Sequence, residues 1–311
     1  MSGRWWTAAV GSWPVSKALV THWLESHTSS DNTRTRTSDS RPGRKGITKE
    51  TLKAIENGSY TSKGITYDFS QKTKESESST RFYGANSDLS SWREASPASP
   101  SPRTEVSFLE ISTLAGARHL SDRVPDAKIG ILNFASAKNP GGGFLSGSQA
   151  QEESIARSSN LYSILMSPTA QQFYKLHRAS PQDGFYSHSM IYSPGITVFR
   201  DDKANWVEPS QVDVVTSPAV NAGLMRRNLR EQFGEIEAKI AAAMKERIAR
   251  ILYLFEKEGV KNVVLGSFGT GVFKNKVDMV ARTWAEHLSP GARFNQSFAH
   301  VVFAILATKH S

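Results

Sequence analysis

The sequence predicts an α/β protein built as a three-layer α/β/α sandwich, in which helices cover both faces of a central mixed sheet. Short runs of Val, Ile and Leu recur along the chain at strand length. Such continuous apolar character is typical of strands that are covered on both faces. Helical patterns separate these runs, and this alternation is the pattern expected of an α/β sandwich. In a sheet of this kind, ligands bind at the carboxyl ends of the strands, where loops lead into helices.

The predicted elements follow one another from residue 47 onward. A short helix comes first, at 47–60, with Thr48 as its N-cap and Gly58 at its end. Buried strands are predicted at 128–136, 212–217, 261–267 and 299–306. Helices are predicted before and between them, at 114–121, 149–178, 224–258 and 276–288.

Three segments differ in composition and are predicted to differ in order. Residues 1–43 contain several Trp and then a run of Ser, Thr and Arg without aliphatic residues, which predicts a disordered tail. Residues 44–103 hold the short helix and two loop-rich, Ser-rich stretches, and are assigned to an N-terminal helical extension. The compact α/β domain is predicted over 104–311.

The amino-acid composition excludes some kinds of chemical site and favours some cellular locations. The chain has no Cys, which excludes disulfides, a Cys nucleophile and thiolate metal sites. Without a long apolar run or a secretory signal, we expect no membrane association and an intracellular location, in the nucleus or the cytoplasm. The basic, acid-poor N-terminus keeps a mitochondrial presequence as an alternative. A net charge of +9 favours a polyanionic partner.

Two glycine-rich loops each follow a predicted strand and precede a predicted helix. The first contains NPGGGFLSGS at 139–148, and the second is GSFGTGVF at 266–273. Without side chains, glycines let a ligand approach the main chain, whose N–H groups can bind phosphate. A plain tight turn would also explain one GGG. Two such loops at one sheet edge fit the two ends of a diphosphate.

A pair of glutamates follows the first loop. Ser148 and Gln151 have the S-x-x-Q spacing of a capping box, which predicts a helix with Ser148 as N-cap and places Glu152 and Glu153 in its first turns. The helix dipole alone would explain two carboxylates at this position. A diphosphate beside them would instead raise the pKa of one carboxyl, as would the neighbouring glutamate. One could then act as a general acid, while the other, ionised, would accept hydrogen bonds from sugar hydroxyls.

The arrangement GGG, seven residues, QEE resembles the signature of the poly(ADP-ribose) glycohydrolases. LNFASAKNPGGGF and AQEESIARSSNLY are most similar to the microbial and fungal branch, and the likeness covers roughly 104–307, more weakly 44–84. It implies a macrodomain fold and hydrolysis of the ribose–ribose O-glycosidic bonds of poly(ADP-ribose), releasing ADP-ribose. It further implies ADP-ribosylated proteins as partners, reversal of ADP-ribosylation in the DNA damage response, and no metal or cofactor. We expect a monomer.

The resemblance assigns roles to individual residues. Glu153 would be the catalytic general acid and base, and Glu152 would bind and orient the leaving ribose. Where the family often has an Asp that recognises adenine, this chain has Ser112, which supplies no charge. Phe273 would pack against the distal ribose, with a core aromatic as the alternative. The expected substrate-binding residues are Asn139, Gly141, Gly142, Gly143, Gln151, Gly269, Thr270, Gly271, Val272 and Phe273.

Two other functions use the same residues and stay open at this point. A non-catalytic ADP-ribose-binding macrodomain would have the same pocket, although binding alone does not require two glutamates. An ADP-ribosyl hydrolase would use Glu153 on another acceptor linkage, such as one to a protein side chain or a nucleobase.

Overall fold

A computed structural model describes residues 40–95, 101, 103–180, 184–227 and 233–306. In these residues a mixed sheet of seven strands lies between two layers of helices, so the predicted three-layer sandwich is confirmed. The prediction of a disordered tail lies outside the described residues, except for its last four positions. No helix in the described part of the chain is long and apolar enough to cross a membrane.

The N-terminal segment forms two helices around a small hairpin: α1 (Arg41–Asn57), β1 (Ser59–Ser62), β2 (Ile65–Asp68) and α2 (Ser70–Ser79). The predicted end of α1 is confirmed, because Gly58 adopts a left-handed φ of 67°. The predicted N-cap is wrong. Ser40 caps the helix by accepting a hydrogen bond from the Gly43 N–H, and Thr48 lies buried in the helix interior.

The strands of the central sheet are β3 (Arg81–Tyr83), β4 (Glu105–Leu109), β5 (Ile129–Phe134), β6 (Met190–Arg200), β7 (Trp206–Ser217), β8 (Asn262–Leu265) and β9 (His300–Ala304). Their order across the sheet is β3-β6-β7-β5-β8-β9-β4. Strand β6 is antiparallel to both of its neighbours, β3 and β7, and the strands from β7 to β4 run parallel. The sheet therefore includes β3, from the segment assigned to the N-terminal extension.

Strand β5 is central, and its neighbours position the site. Phe134, the last residue of β5, pairs with Ser217 at the end of β7, and Ile131 pairs with Val264 of β8. Because these strands are parallel, the loops that follow them start at the same edge of the sheet. Both glycine-rich loops begin there.

The helices bury opposite faces of the sheet. One face carries α3 (Thr113–Arg123), α4 (Gln151–Ser158), α5 (Leu161–Leu165) and α6 (Pro168–Ala179). The other carries α7 (Ala222–Arg227), α8 (Phe233–Lys257) and α9 (Val277–Leu288). Leu132 packs in the cluster of α8, whereas Ile131 packs in the cluster of α4 to α6. Successive residues of β5 thus face different apolar layers, which explains its continuous apolar sequence.

Several elements differ from the predicted pattern, among them the short strands β1 to β4, which were not predicted. The sequence predicts no strand at β6, because Pro194 and Gly195 interrupt the apolar run. The structure accommodates these two residues in an irregularity between Ser193 and Ile196. Helix α2 forms in a polar stretch interpreted as loop-rich. The helical pattern predicted at 149–178 forms three helices, because Ser159 is extended and Ser167 caps a new helix at Pro168.

Candidate functional site

The first glycine loop turns sharply at the end of β5. Gly141 and Gly142 have φ angles of 64° and 58°, a left-handed conformation that strains other residues. The Gly142 N–H donates to the Asn139 carbonyl at 2.9 Å, and the Phe144 N–H donates to the Gly141 carbonyl at 3.0 Å. These consecutive turns bring the main chain of the loop over the start of α4.

Glu153 is fixed by one oxygen and open at the other. The Gly143 N–H donates to Glu153 Oε1 at 2.7 Å. The residue is 8% exposed, and Oε2 has no hydrogen-bond partner among the residues that the structure describes. A buried carboxylate oxygen of this kind is available to bond a ligand.

Glu152 lies deeper and has both oxygens engaged. Its Oε2 accepts a hydrogen bond from the Ser136 N–H at 2.7 Å, and Oε1 lies 3.4 Å from Asn133 Nδ2. Burial of the carboxyl, with a further contribution from the negative charge of Glu153, raises the pKa of Glu152 to about 8. The sequence predicts one raised pKa in the pair. The structure places it on Glu152, whereas the resemblance names Glu153 as the acid.

The two carboxyl groups converge below Gly142. A Cβ atom at Gly142 would lie 2.5 Å from Glu153 Oε1 and 2.9 Å from Glu152 Oε2. Real side chains do not approach polar atoms so closely, so only glycine fits at this position. The GGG sequence is therefore needed for the approach of the carboxyl groups as well as for the turn.

The predicted capping box is wrong. Helix α4 begins at Gln151 with Ala150 as its N-cap, and no side chain caps it. Gln151 accepts a hydrogen bond from the Phe134 N–H at 2.8 Å and donates to the Leu132 carbonyl at 2.6 Å. The end of β5 thus competes successfully for the Gln151 amide, and this bond ties the start of α4 to the sheet. Gln151, expected to bind substrate, positions the glutamates that follow it.

Helix α1 supports the loop from outside, a function that the sequence analysis missed. Arg44 donates to the Gly147 carbonyl at 2.8 Å, and Thr48 donates to the Phe144 carbonyl at 3.2 Å. Thr51 donates to the carbonyl of Arg157 in α4 at 2.7 Å. The spacing of Thr48 and Thr51 on one face of the helix was the available signal, but nothing local identifies their partners.

The second glycine loop is tied to the segment that follows β7. Gly269 has a φ of 74°, and a Cβ there would lie 2.3 Å from the Cβ of Ala219. Asn275 donates to the carbonyls of Gly269 at 3.0 Å and Val220 at 2.7 Å. Thr270 donates to the Ser267 carbonyl at 2.9 Å, which closes the turn.

The tip of this loop is open. Val272 is 81% exposed, and a Cβ added to Gly271 would meet no atom within 4 Å. Phe273 is half-buried; it packs against the core beside α8 and lies 6.0 Å from Tyr186, measured between ring centroids. Both the core interpretation and the ligand-facing interpretation of Phe273 therefore agree with its position.

A buried arginine holds the segment that carries Tyr186. Arg247 of α8 donates to the Pro218 carbonyl at 2.9 Å, and to the carbonyls of Phe185 at 2.9 Å and Tyr186 at 3.0 Å. Its side chain links α8 to the segment before β6 and the segment after β7.

The expected site residues fall into two groups at one sheet edge. The first loop and Glu152–Glu153 follow β5, and the second loop follows the adjacent β8. Phe134 and Phe268 connect the two groups, with ring centroids 5.6 Å apart. Ser112 caps α3 by accepting from the Ala115 N–H at 2.9 Å, so its hydroxyl already has a structural function.

Two contacts of Glu152 were missed by the sequence analysis. Asn133 is fully buried and contacts Glu152, and the Ser136 main chain binds the same carboxyl. An Asn inside an otherwise apolar strand was a usable signal. The Ser136 contact uses backbone only and leaves no mark in the sequence.

Comparison with known proteins identifies similar chains. The family model described as the catalytic domain of microbial-type PARG matches residues 48–201. Poly(ADP-ribose) glycohydrolase from Thermomonospora curvata, solved with the inhibitor ADP-HPD, is 38% identical with a TM-score of 0.77; the match covers 87% of this chain and 96% of that one. The Deinococcus radiodurans glycohydrolase, solved in complex with ADP-ribose, is 36% identical with a TM-score of 0.68, over 76% of this chain and 90% of that one. A search of curated proteins gives no significant match.

Proposed function

Because the chain belongs to the microbial-type poly(ADP-ribose) glycohydrolase family, we propose that it hydrolyses the ribose–ribose O-glycosidic bonds of poly(ADP-ribose) and releases ADP-ribose. One observation carries the proposal for the catalytic residue. The Glu153 carboxyl is bound to the glycine loop through Oε1, while its buried Oε2 has no partner within the described residues.

Binding of ADP-ribose is assigned to the two glycine loops. Their main chains start at adjacent parallel strands, and their glycines permit close approach to the diphosphate. Gly141, Gly142 and Gly143 would line one side of the diphosphate, and Gly269 to Val272 the other. Asn139 would contact the ribose ahead of the glycines, and Phe273 would pack against the distal ribose.

Hydrolysis then needs one proton donor and one water molecule. Protonated Glu153 donates its proton to the oxygen of the leaving ribose as the glycosidic C–O bond breaks and positive charge develops on the anomeric carbon. The resulting carboxylate takes a proton from water, whose oxygen bonds to that carbon. The products are ADP-ribose and a polymer shortened by one unit, and Glu153 regains its proton.

Glu152 is assigned to the leaving ribose. Its raised pKa keeps it neutral at pH 7, so the pair carries less negative charge beside the diphosphate. A neutral carboxyl can also donate a hydrogen bond to a ribose oxygen. We assign it an orienting role.

The proposal extends to the setting of the reaction. The polymer would be carried by ADP-ribosylated proteins, and the enzyme would act as an intracellular monomer that reverses ADP-ribosylation, including that which follows DNA damage. The net charge of +9 favours encounter with such a polyanion.

The test compares the parent protein with Glu153→Gln. Each is incubated with poly(ADP-ribose), the products are separated by chromatography, and ADP-ribose binding is measured by calorimetry. We expect release of ADP-ribose by the parent, a loss of at least about a hundredfold in the variant, as for removal of a general acid, and similar binding by both. Glu56→Gln, exposed on α1, is the matched control and should behave as the parent.

Other outcomes would change the assignment. Equal turnover by Glu153→Gln and the parent would exclude Glu153 as the acid. Binding of ADP-ribose without release by the parent would favour a non-catalytic binding protein or a hydrolase for another acceptor linkage.

A further inference from the structure

A pocket of about 320 Å³ lies between the first glycine loop and the helices α5 and α6. Its volume is near the lower end of the range for ligand pockets, roughly 300–1,000 Å³. The loop contributes one wall and the two helices the other. The lining includes Asn139, Gly142, Gly143, Tyr162, Met166 and Arg178.

The pocket shares its wall with the carboxyl pair. Gly143 lines the pocket and donates its N–H to Glu153 Oε1, and Gly142 lies directly against both carboxyl groups. The bond that is cleaved joins two riboses, so one part of the substrate lies on each side of the catalytic acid. Under the proposed function the released ADP-ribose lies between the two glycine loops. This pocket is lined by the first loop, α5 and α6 and by no described residue of the second loop, so it is placed to receive the polymer on the other side of the bond.

The lining has a cation held in place. Arg178 donates to the Lys138 carbonyl at 3.1 Å and to Gln171 Oε1 at 3.3 Å, so its guanidinium is oriented although it lies at the surface. Its remaining N–H groups can bind phosphate oxygens in pairs. Among the described residues, none of the side chains lining the pocket is a carboxylate that would oppose a phosphate.

The lining also has apolar surface suited to a base. Leu145 and Met166 are 57% and 49% exposed, and the half-buried Tyr162 packs on Phe144 with ring centroids 5.0 Å apart. Large exposed apolar side chains at a pocket often mark a binding site. The apolar surface can contact a flat heterocycle, and the guanidinium beside it can bind a phosphate. Together they match a nucleotide.

We propose that this pocket binds the leaving-side unit of the polymer: the nucleotide of the ADP-ribose unit next to the bond that is cleaved. The inference rests on the proposed function. Arg178 binds a phosphate of that unit, and Tyr162 and Met166 contact its base. The pocket holds part of this unit, and the rest extends into solvent with the remaining polymer.

The test separates recognition of the polymer from binding of the product. Arg178→Ala removes the cation, and Met166→Glu keeps Arg178 but adds a negative charge to the pocket. For both variants we expect a KM for poly(ADP-ribose) raised by about tenfold, equivalent to about 1.4 kcal/mol, with the calorimetric Kd for ADP-ribose within twofold of the parent. Lys175→Ala, an exposed lysine of α6 outside the pocket lining, is the matched control and should leave both values unchanged.

The other results of these measurements distinguish failure of this inference from failure of the proposed function. A parent protein without hydrolytic activity would remove the proposed function and this inference together. An active parent with unchanged KM in Met166→Glu and Arg178→Ala would overturn this inference alone. Equal weakening of ADP-ribose binding would show that the pocket belongs to the product side. Should Arg178→Ala melt at a lower temperature, Met166→Glu decides the question, and recovery of KM in Arg178→Lys would support the phosphate contact.

Discussion

Glu152 and Glu153 are neighbours in the sequence but differ in their surroundings. Glu152 is buried between the end of β5 and the glycine loop, with partners for both oxygens. Glu153 has one oxygen bonded to the loop and the other without a partner in the described part of the chain. Two like residues can therefore take different tasks, one orienting and one transferring a proton.

The raised pKa of Glu152 predicts a pH dependence of stability. Its pKa rises from the ordinary value of 4.5 to about 8 on folding, so the folded state holds a proton that the unfolded state loses in this interval. The free energy of unfolding therefore falls as pH rises from about 4.5 to about 8, by at most about 1.4 kcal/mol per pH unit. Urea unfolding at pH 5, 6.5 and 8 should show this decline in the parent and a flatter profile in Glu152→Gln. Parallel profiles for the two proteins would contradict it.

A side chain at Gly142 is expected to impair turnover more than binding. In Gly142→Ala the new Cβ would lie 2.5 Å from Glu153 Oε1, at a φ of 58° that alanine adopts with strain. The carboxyl groups must move, so we expect kcat to fall by at least about tenfold, measured with poly(ADP-ribose). Gly84→Ala, where a Cβ meets no atom within 4 Å, is the control. Retention of full kcat would show that the carboxyl positions are not critical.

At the scale of elements, the candidate site is held from two sides. Gln151 ties α4 to β5 from within, and α1 binds the outer side of the glycine loop and α4 through Arg44, Thr48 and Thr51. Helix α1 lies about a hundred residues earlier in the chain than the loop that it supports. The N-terminal segment therefore supports the candidate site in this structure.

Removing one of these contacts should loosen the loop. Arg44→Ala deletes the hydrogen bond to the Gly147 carbonyl, and such bonds to charged groups contribute roughly 1.5–3 kcal/mol. Because Arg44 is partly exposed, we expect a loss of about 1 kcal/mol in the free energy of unfolding, with a lower kcat. Lys53→Ala, exposed on the same helix, is the control for both measurements. Identical kcat in Arg44→Ala and Lys53→Ala would show that α1 supports stability alone.

At the scale of the molecule, one buried cation connects the layers. Arg247 is fully buried in α8, and its three carbonyl partners lie in the segments before β6 and after β7. Its position couples the packing of α8 to the loop that carries Tyr186, and through Tyr186 to Phe273.

Loss of the Arg247 side chain should lower the free energy of unfolding. Arg247→Leu leaves three carbonyl groups without this donor, at roughly 1–3 kcal/mol each. We expect the free energy of unfolding to fall by about 3 kcal/mol and ADP-ribose binding to weaken, measured by chemical denaturation and calorimetry. Lys245→Met, whose ion pair with Glu286 is at the surface, should lose less than about 1 kcal/mol. A similar small loss in both variants would contradict the coupling.

The parts predicted from the sequence are those with local signals. Strands β5, β8 and β9 were found because they are short, continuous apolar runs, and the end of α1 was found because Gly58 tolerates a left-handed backbone. The glycine loops and glutamates were located because turns and carboxyl groups are visible in the residue types themselves. β6 was missed because Pro194 and Gly195 break its pattern, and only pairing on both sides stabilises it as a strand.

By itself the sequence determined the α/β class, the two glycine loops and the pair of acidic residues, because periodicity and backbone freedom are properties of neighbouring residues. The tertiary structure alone decided that Gln151 bonds β5 instead of capping α4, that α1 supports the loop, and that Glu152 has the raised pKa. The physical reason is that desolvation and competition for hydrogen bonds depend on groups that are distant in the chain and meet only when the layers pack together.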